Sequence, residues 1–150
     1  MLLVVMLCLA HKIPDRLPYR ETTLERSVAG AVVASMKANG VRRLVVISAF
    51  GVGDSVDQAS WFVEHVIVPT WLRGSTADKA AMEEVVRASG IAFIIVRPAM
   101  LIDLDATGSV KIFEEHETAH KITRADVAQF CVDQLTSDAY VGRAVTIANS

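Results

Sequence analysis

Val41-Arg42-Arg43-Leu44-Val45-Val46-Ile47-Ser48-Ala49-Phe50-Gly51-Val52-Gly53-Asp54-Ser55 is the stretch of this 150-residue chain that decides its fold class. Leu44, Val45, Val46 and Ile47 form a short apolar, largely β-branched run, the pattern of a strand buried on both faces in a parallel sheet. Two arginines precede it; small residues, two glycines and an aspartate follow. In open parallel α/β sheets ligands sit beyond the carboxyl ends of the strands, which is where Ser48 falls. Its hydroxyl both donates and accepts hydrogen bonds, and Gly51 and Gly53 permit close backbone approach to a ligand. The same residues also suit a plain strand end followed by a turn, and the pattern alone leaves both readings open.

Around this stretch, the chain is long enough for one domain, residues 1–150, with a substantial core. Hydrophobic residues make up 52% and the formal net charge is −2, which fits a soluble globular protein and gives no electrostatic case for nucleic acid. The longest apolar run, Met1 to Ala10, is too short to span a bilayer as a helix. As a signal peptide it lacks preceding basic residues, and His11-Lys12 follows where small residues are wanted. Cys8 and Cys131 both lie among apolar residues, as buried free thiols in a reducing cytoplasm would.

In chain order, Leu2 to Leu9 reads as a buried strand and Ile13 to Arg20, with Pro14 and Pro18, as loop. Thr22-Thr23-Leu24-Glu25 has the form of a capping box, the Thr22 hydroxyl facing an orphan amide and Glu25 reaching back. Leu24, Val28, Ala31, Val32, Ser35 and Met36 recur at helical spacing, and Gly40 closes that helix. Gln58 to Val68 has a helical period that Pro69 interrupts; a second piece runs from about Thr70 to Ser89 and ends at Gly90. Ile91 to Val96 is a third buried strand, which Pro98 should terminate. Leu101 to Glu115 reads as loop with one short edge strand, Val110 to Phe113. Thr123-Arg124-Ala125-Asp126 caps a helix to about Leu135, and Ala144 to Ala148 is a last strand. Strand alternating with helix in this way is the signature of a parallel sheet with crossover helices.

Four segments together resemble an atypical short-chain dehydrogenase/reductase of the NmrA-like or biliverdin reductase B (flavin reductase) type. They are Val41-Arg42-Arg43-Leu44-Val45-Val46-Ile47-Ser48-Ala49-Phe50; Ala77-Asp78-Lys79 with Met82-Glu83; Ile94-Ile95-Val96-Arg97-Pro98; and Lys121-Ile122-Thr123-Arg124-Ala125-Asp126-Val127-Ala128. Their order and spacing match the later part of such a protein. The resemblance implies an α/β fold, a partial Rossmann-like parallel sheet with flanking helices, in which the first strand here corresponds to the family's fourth. It lacks the N-terminal βαβ units and the G-x-x-G-x-x-G turn, whose glycines let a pyrophosphate approach a helix N-terminus. It implies NADP or NAD as cofactor, with binding impaired by the missing half. Ser48 and Lys79 would be the catalytic residues, and Ser48, Ala49, Phe50, Lys79, Pro98, Ala99 and Met100 would line the nicotinamide site. At the superfamily's Y-x-x-x-K pair, Lys79 fits the lysine but Ser75 replaces the tyrosine, whose phenol is the usual general acid.

His116-Glu117-Thr118-Ala119-His120 is a literal H-E-x-x-H, the spacing that places two imidazoles on one helix face for zinc with the glutamate as general base. Charged neighbours and the helix start at Thr123 favour an exposed polar loop instead. Asp103 and Asp105 read as solvated loop charges. Trp61, Phe62 and Trp71 suit either a substrate lid or plain packing, and His65 a structural role. The functions in play are an NAD(P)H-dependent oxidoreductase acting on a small molecule, a non-catalytic NAD(P)-binding regulator, and, remotely, a zinc peptidase. Without a neighbour for Leu2–Leu9, self-association through that strand is a further expectation.

Overall fold

Leu44, Val45 and Val46 are almost wholly buried in the middle of β2 (Arg43–Ile47), because both faces of the strand are covered. Alternate strand residues point to opposite faces. Leu44 and Val46 join Ile95 and residues of two helices, Ala29, Val33 and Met36 from α1 (Leu24–Ala38) and Met82 and Val86 from α2 (Arg73–Arg87). Val45 faces the other way, into a cluster with Ile94, Val96, Val145 and Ile147 and with Val127 and Cys131 of α3 (Arg124–Asp133). The result is three layers, with α1 and α2 on one face of the sheet and α3 on the other.

The computed structural model describes residues 4–7, 23–53, 73–113 and 119–150. Its main sheet has the order β1-β2-β3-β7-β5, with β1 Val4–Leu7, β3 Ala92–Pro98, β5 Val110–Phe113 and β7 Arg143–Asn149. The first four strands are parallel, with Val45 opposite Met6 on one side and Ile94 on the other. β5 is antiparallel to β7 and forms an edge. β3 does end at Pro98, which has no amide hydrogen to continue a ladder. The expected strand Leu2–Leu9 is described only over Val4–Leu7, as β1; Thr22, Cys8, the segment from Gln58 to Val68 and the residues Trp61, Phe62, His65 and Trp71 lie outside the described residues.

Helix α1 ends as expected. Gly40 adopts φ +66°, its amide donates to Lys37 O, and the Val41 amide donates to Met36 O at 2.9 Å. This is the paired hydrogen-bond closure that needs a left-handed residue. Thr123 caps α3, its hydroxyl accepting from the Asp126 amide at 3.0 Å. Arg43 braces the turn that follows α3: its Nη1 donates to the carbonyls of Gln134, Leu135 and Ser137 at 3.2, 3.1 and 2.9 Å, a cation beside the helix C-terminus.

Two expectations need correction. The segment read as loop from Leu101 contains part of a strand, β4 (Met100–Ile102), which pairs in parallel with β6 (Lys121–Thr123) as a separate two-stranded sheet. Met100, Leu101 and Ile102 are apolar but follow Pro98 and are only three residues long with two of them exposed, and β6 buries just Ile122 and Thr123, so neither shows the length or alternation by which a strand is read from sequence. Nor does Glu25 reach back as in a capping box: Thr23 takes the cap position without a side-chain bond, and the first amides of α1 are satisfied from α2, as described below.

Candidate functional site

The carboxyl ends of β2, β3 and β7 are stitched together beyond their ladders. The Ser48 amide donates to Val96 O at 2.8 Å, Phe50 to Pro98 O at 3.2 Å, Ala99 to Ile147 O at 3.0 Å, and Met100 to His120 O at 3.3 Å. The backbone of Ser48–Phe50 therefore runs beside that of Val96–Pro98. Ser48 and Ala99 are buried. Phe50 packs against Ala99, Ala119 and Ala148, together with Phe113. Met100, in contrast, is 68% exposed, so its side chain points away from this packed end. The Ser48 hydroxyl is buried and has no hydrogen-bond partner among the described residues.

Behind this end lies an ion pair that sequence reasoning missed. Arg97, within 4% of full burial, donates from Nε to Glu83 Oε1 at 3.0 Å and from Nη2 to Oε2 at 2.6 Å. This is the bidentate fork that suits a guanidinium and a carboxylate. It joins β3 to α2, and Arg87 approaches the same carboxylate at 3.7 Å. Gly53 closes over it: a Cβ there would lie 3.0 Å from Arg97 Nη2, and its φ is +60°. The close approach that Gly53 permits is thus to the guanidinium. Arg97-Pro98 was visible in the sequence, but its partner lies fourteen positions away on a helix.

Lys79 is likewise engaged. Its ammonium donates to Glu25 Oε1 at 2.6 Å, with side chains 18% and 6% exposed. The preceding residue, Asp78, is buried and accepts from the Glu25 amide at 3.0 Å and the Arg26 amide at 3.1 Å. A carboxylate at a helix N-terminus satisfies orphan donors and complements the dipole. Consecutive residues of α2 thus clasp the first turn of α1. The second Glu25 oxygen is buried without a partner among the described residues.

Asp126 gathers the segment after β4. Its carboxylate accepts from the Thr107 amide and hydroxyl at 3.0 and 2.9 Å, the Gly108 amide at 3.0 Å, the Thr123 hydroxyl at 2.8 Å and Asn149 Nδ2 at 2.7 Å. The Thr107 amide, with the Thr123, Asn149 and Thr107 side chains, holds its pKa far below the usual carboxylate range, against the opposing effect of burial.

His116 and Glu117 lie outside the described residues; His120 is exposed and directly precedes β6. Among the described residues no group of three or more His, Cys, Asp or Glu is placed to hold a metal. Asp103 and Asp105 are exposed, and Asp103 pairs with Arg124 at 2.7 Å. Cys131 is a buried free thiol. Among the described residues no helix is long and apolar enough to cross a membrane.

This architecture is similar to ChuY from Escherichia coli CFT073, with 22% identity and a TM-score of 0.70 over 83% of this chain and 61% of that one. It is similar to the anaerobillin reductase ChuY from E. coli O157:H7, at 20% identity and TM-score 0.70 over 87% and 61%. A wide-type short-chain dehydrogenase/reductase from Veillonella parvula DSM 2008, in complex with NADP, gives 13% identity and TM-score 0.72 over 86% and 60%. At these identities the likeness is one of fold, and the chain spans about three fifths of the length of each of these proteins. The sequence model of the NAD(P)H-binding family covers residues 4–138, so that the chain, from β1 to beyond α3, belongs to that family.

Proposed function

We propose that this chain forms the nicotinamide-facing part of an NAD(P)H-dependent oxidoreductase of the NmrA-like or flavin-reductase type. The observation that carries this reading is the Ser48 hydroxyl, buried and unpartnered at the carboxyl end of β2, the end at which open parallel sheets bind ligands. A buried polar group without a partner calls for a ligand or water to satisfy it. The residues fit the nicotinamide end of a dinucleotide: Ser48 would offer a donor and acceptor to a carboxamide or a substrate carbonyl, and the backbone of Pro98, Ala99 and Met100 would line the ring. Phe50 and Ala49 would exclude water from it, and Lys79 would take ribose hydroxyls. They do not fit the pyrophosphate end, because the sequence contains no G-x-x-G-x-x-G turn.

When bound, the dinucleotide supplies the hydride; the protein orients it. The reductase activity in the name of one structural neighbour and the NADP in another support this class of chemistry. Ser75 at the tyrosine position fits this reading and equally a second one, a dinucleotide-binding regulator without turnover. Reduction of flavins and quinones by millimolar NADPH or NADH separates the two. Turnover that falls on Ser48→Ala supports the oxidoreductase. Dinucleotide binding with no turnover on any acceptor supports the regulator, and Ser48→Ala without effect on either binding or turnover removes Ser48 from the site.

A further inference from the structure

The clasp between α1 and α2 carries more than stability. We infer that Glu25 is a positioning residue for Lys79, an inference that rests on the reading of Lys79 as a ribose ligand. A lysine ammonium has three hydrogens on a flexible four-carbon stem. Left alone it would sample many positions. Here one hydrogen is committed to Glu25 Oε1 at 2.6 Å, in a pair whose side chains are only 18% and 6% exposed. Glu25 is itself fixed, because its own amide and that of Arg26 are held by Asp78, the neighbour of Lys79 on α2. The three side chains close a loop: Asp78 sets the first turn of α1, that turn sets Glu25, and Glu25 sets Lys79.

Two consequences follow for the chemistry Lys79 can do. Two ammonium hydrogens remain for a ligand, and their directions are fixed by the third. Two donors on one nitrogen suit two adjacent hydroxyls, which points to a vicinal diol such as a ribose. The positive charge is also balanced by a neighbour, so Lys79 acts through directed hydrogen bonds and not as a free cation. The position of Ser75 makes this more consequential, since no tyrosine is available there to share the task.

The test uses the full chain and amine acylation by acetic anhydride, read residue by residue by mass spectrometry. Lys37, Lys111 and Lys121, all exposed, serve as internal references. Lys79 should acylate several-fold more slowly than these in the native protein. Glu25→Gln, which keeps the shape but removes the charge, should raise the Lys79 rate several-fold and leave the references unchanged. Adding millimolar NADPH should slow Lys79 further in the native protein and much less in Glu25→Gln. Native Lys79 that reacts as fast as Lys37, or a Glu25→Gln rate equal to the native one, overturns the inference. If NADPH, at a concentration at which its fluorescence reports binding, protects Lys79 in neither protein while Glu25→Gln still changes its rate, the ribose reading fails and the positioning by Glu25 stands. Should Glu25→Gln not fold, the double variant Glu25→Gln with Lys79→Gln decides. Recovery of a cooperative melt supports the coupling, and none rejects it, because the buried ammonium would then not be what the loss of Glu25 exposes.

Discussion

A hydroxyl buried without a partner costs about 1–3 kcal/mol of desolvation, and Ser48 bears such a hydroxyl in the middle of a strand-end network that is otherwise satisfied. Ser48→Ala removes the group and leaves its backbone bond to Val96 untouched. The substitution should therefore leave the melting temperature unchanged or raise it, while NADPH-dependent turnover falls; melts and initial rates on one preparation check both halves. A Ser48→Ala protein that melts markedly lower would mean that the hydroxyl has a structural partner. Glycine 53 makes the opposite case. Its φ of +60° costs an L-residue about 1–2 kcal/mol, and a Cβ would also press on Arg97 Nη2 at 3.0 Å. Gly40 has a similar φ, +66°, with nothing within 4 Å of its Cβ position. Gly53→Ala should consequently destabilise more than Gly40→Ala in urea unfolding, and the difference measures how rigidly the Arg97–Glu83 pair is held. Equal losses would show that the guanidinium yields.

At the level of elements, Asp126 ties the N-terminus of α3, the segment around Thr107 and the end of β7 into one unit. Its pKa is depressed below the unfolded value, so its contribution is fully present above the ordinary carboxylate pKa of about 3.9 and is lost as pH falls from there toward the folded value. The native protein should lose melting temperature steeply below about pH 4, and Asp126→Asn should flatten that slope and start from a lower plateau at neutral pH. An unchanged acid slope in the variant would transfer the acid sensitivity to other carboxylates. These elements also show what the sequence made legible. β2 and β3 were readable because burial on both faces demands an apolar run, and β7 because only Thr146 interrupts the one between Ala144 and Ala148. The Thr123 cap was readable because donor and acceptor lie three residues apart. The cap of α1 was not, because Asp78 is 53 positions from the amide it serves. The partner of Lys79 was hidden for the same reason, at a separation of 54. Glu25 sits in a pattern that local reading assigns to a capping box, and only tertiary packing redirects it.

For the whole molecule, the decisive feature is the direction in which the sheet grows. β1, β2, β3 and β7 succeed one another across the sheet without a reversal, whereas a dinucleotide binds at the point where strand order reverses. In a complete doubly wound sheet that point lies beyond the outer edge of β1, which is an edge of the sheet among the described residues. The sequence around it, from Met1 to Ala10, has neither lysine nor proline to discourage pairing with another strand. We propose that the 150-residue chain binds NADPH weakly or not at all, since its sequence contains no G-x-x-G-x-x-G turn, and that it associates through the edge of β1 or is marginally stable. Fluorescence titration with NADPH, run alongside light scattering, examines both expectations. Association that disappears when a lysine replaces Val5, with little change in the far-ultraviolet circular dichroism, would place the contact at that strand. A stable monomer that binds NADPH at micromolar concentration would show that these 150 residues suffice for the cofactor, and both the weak-binding and the edge-pairing expectations would fall together.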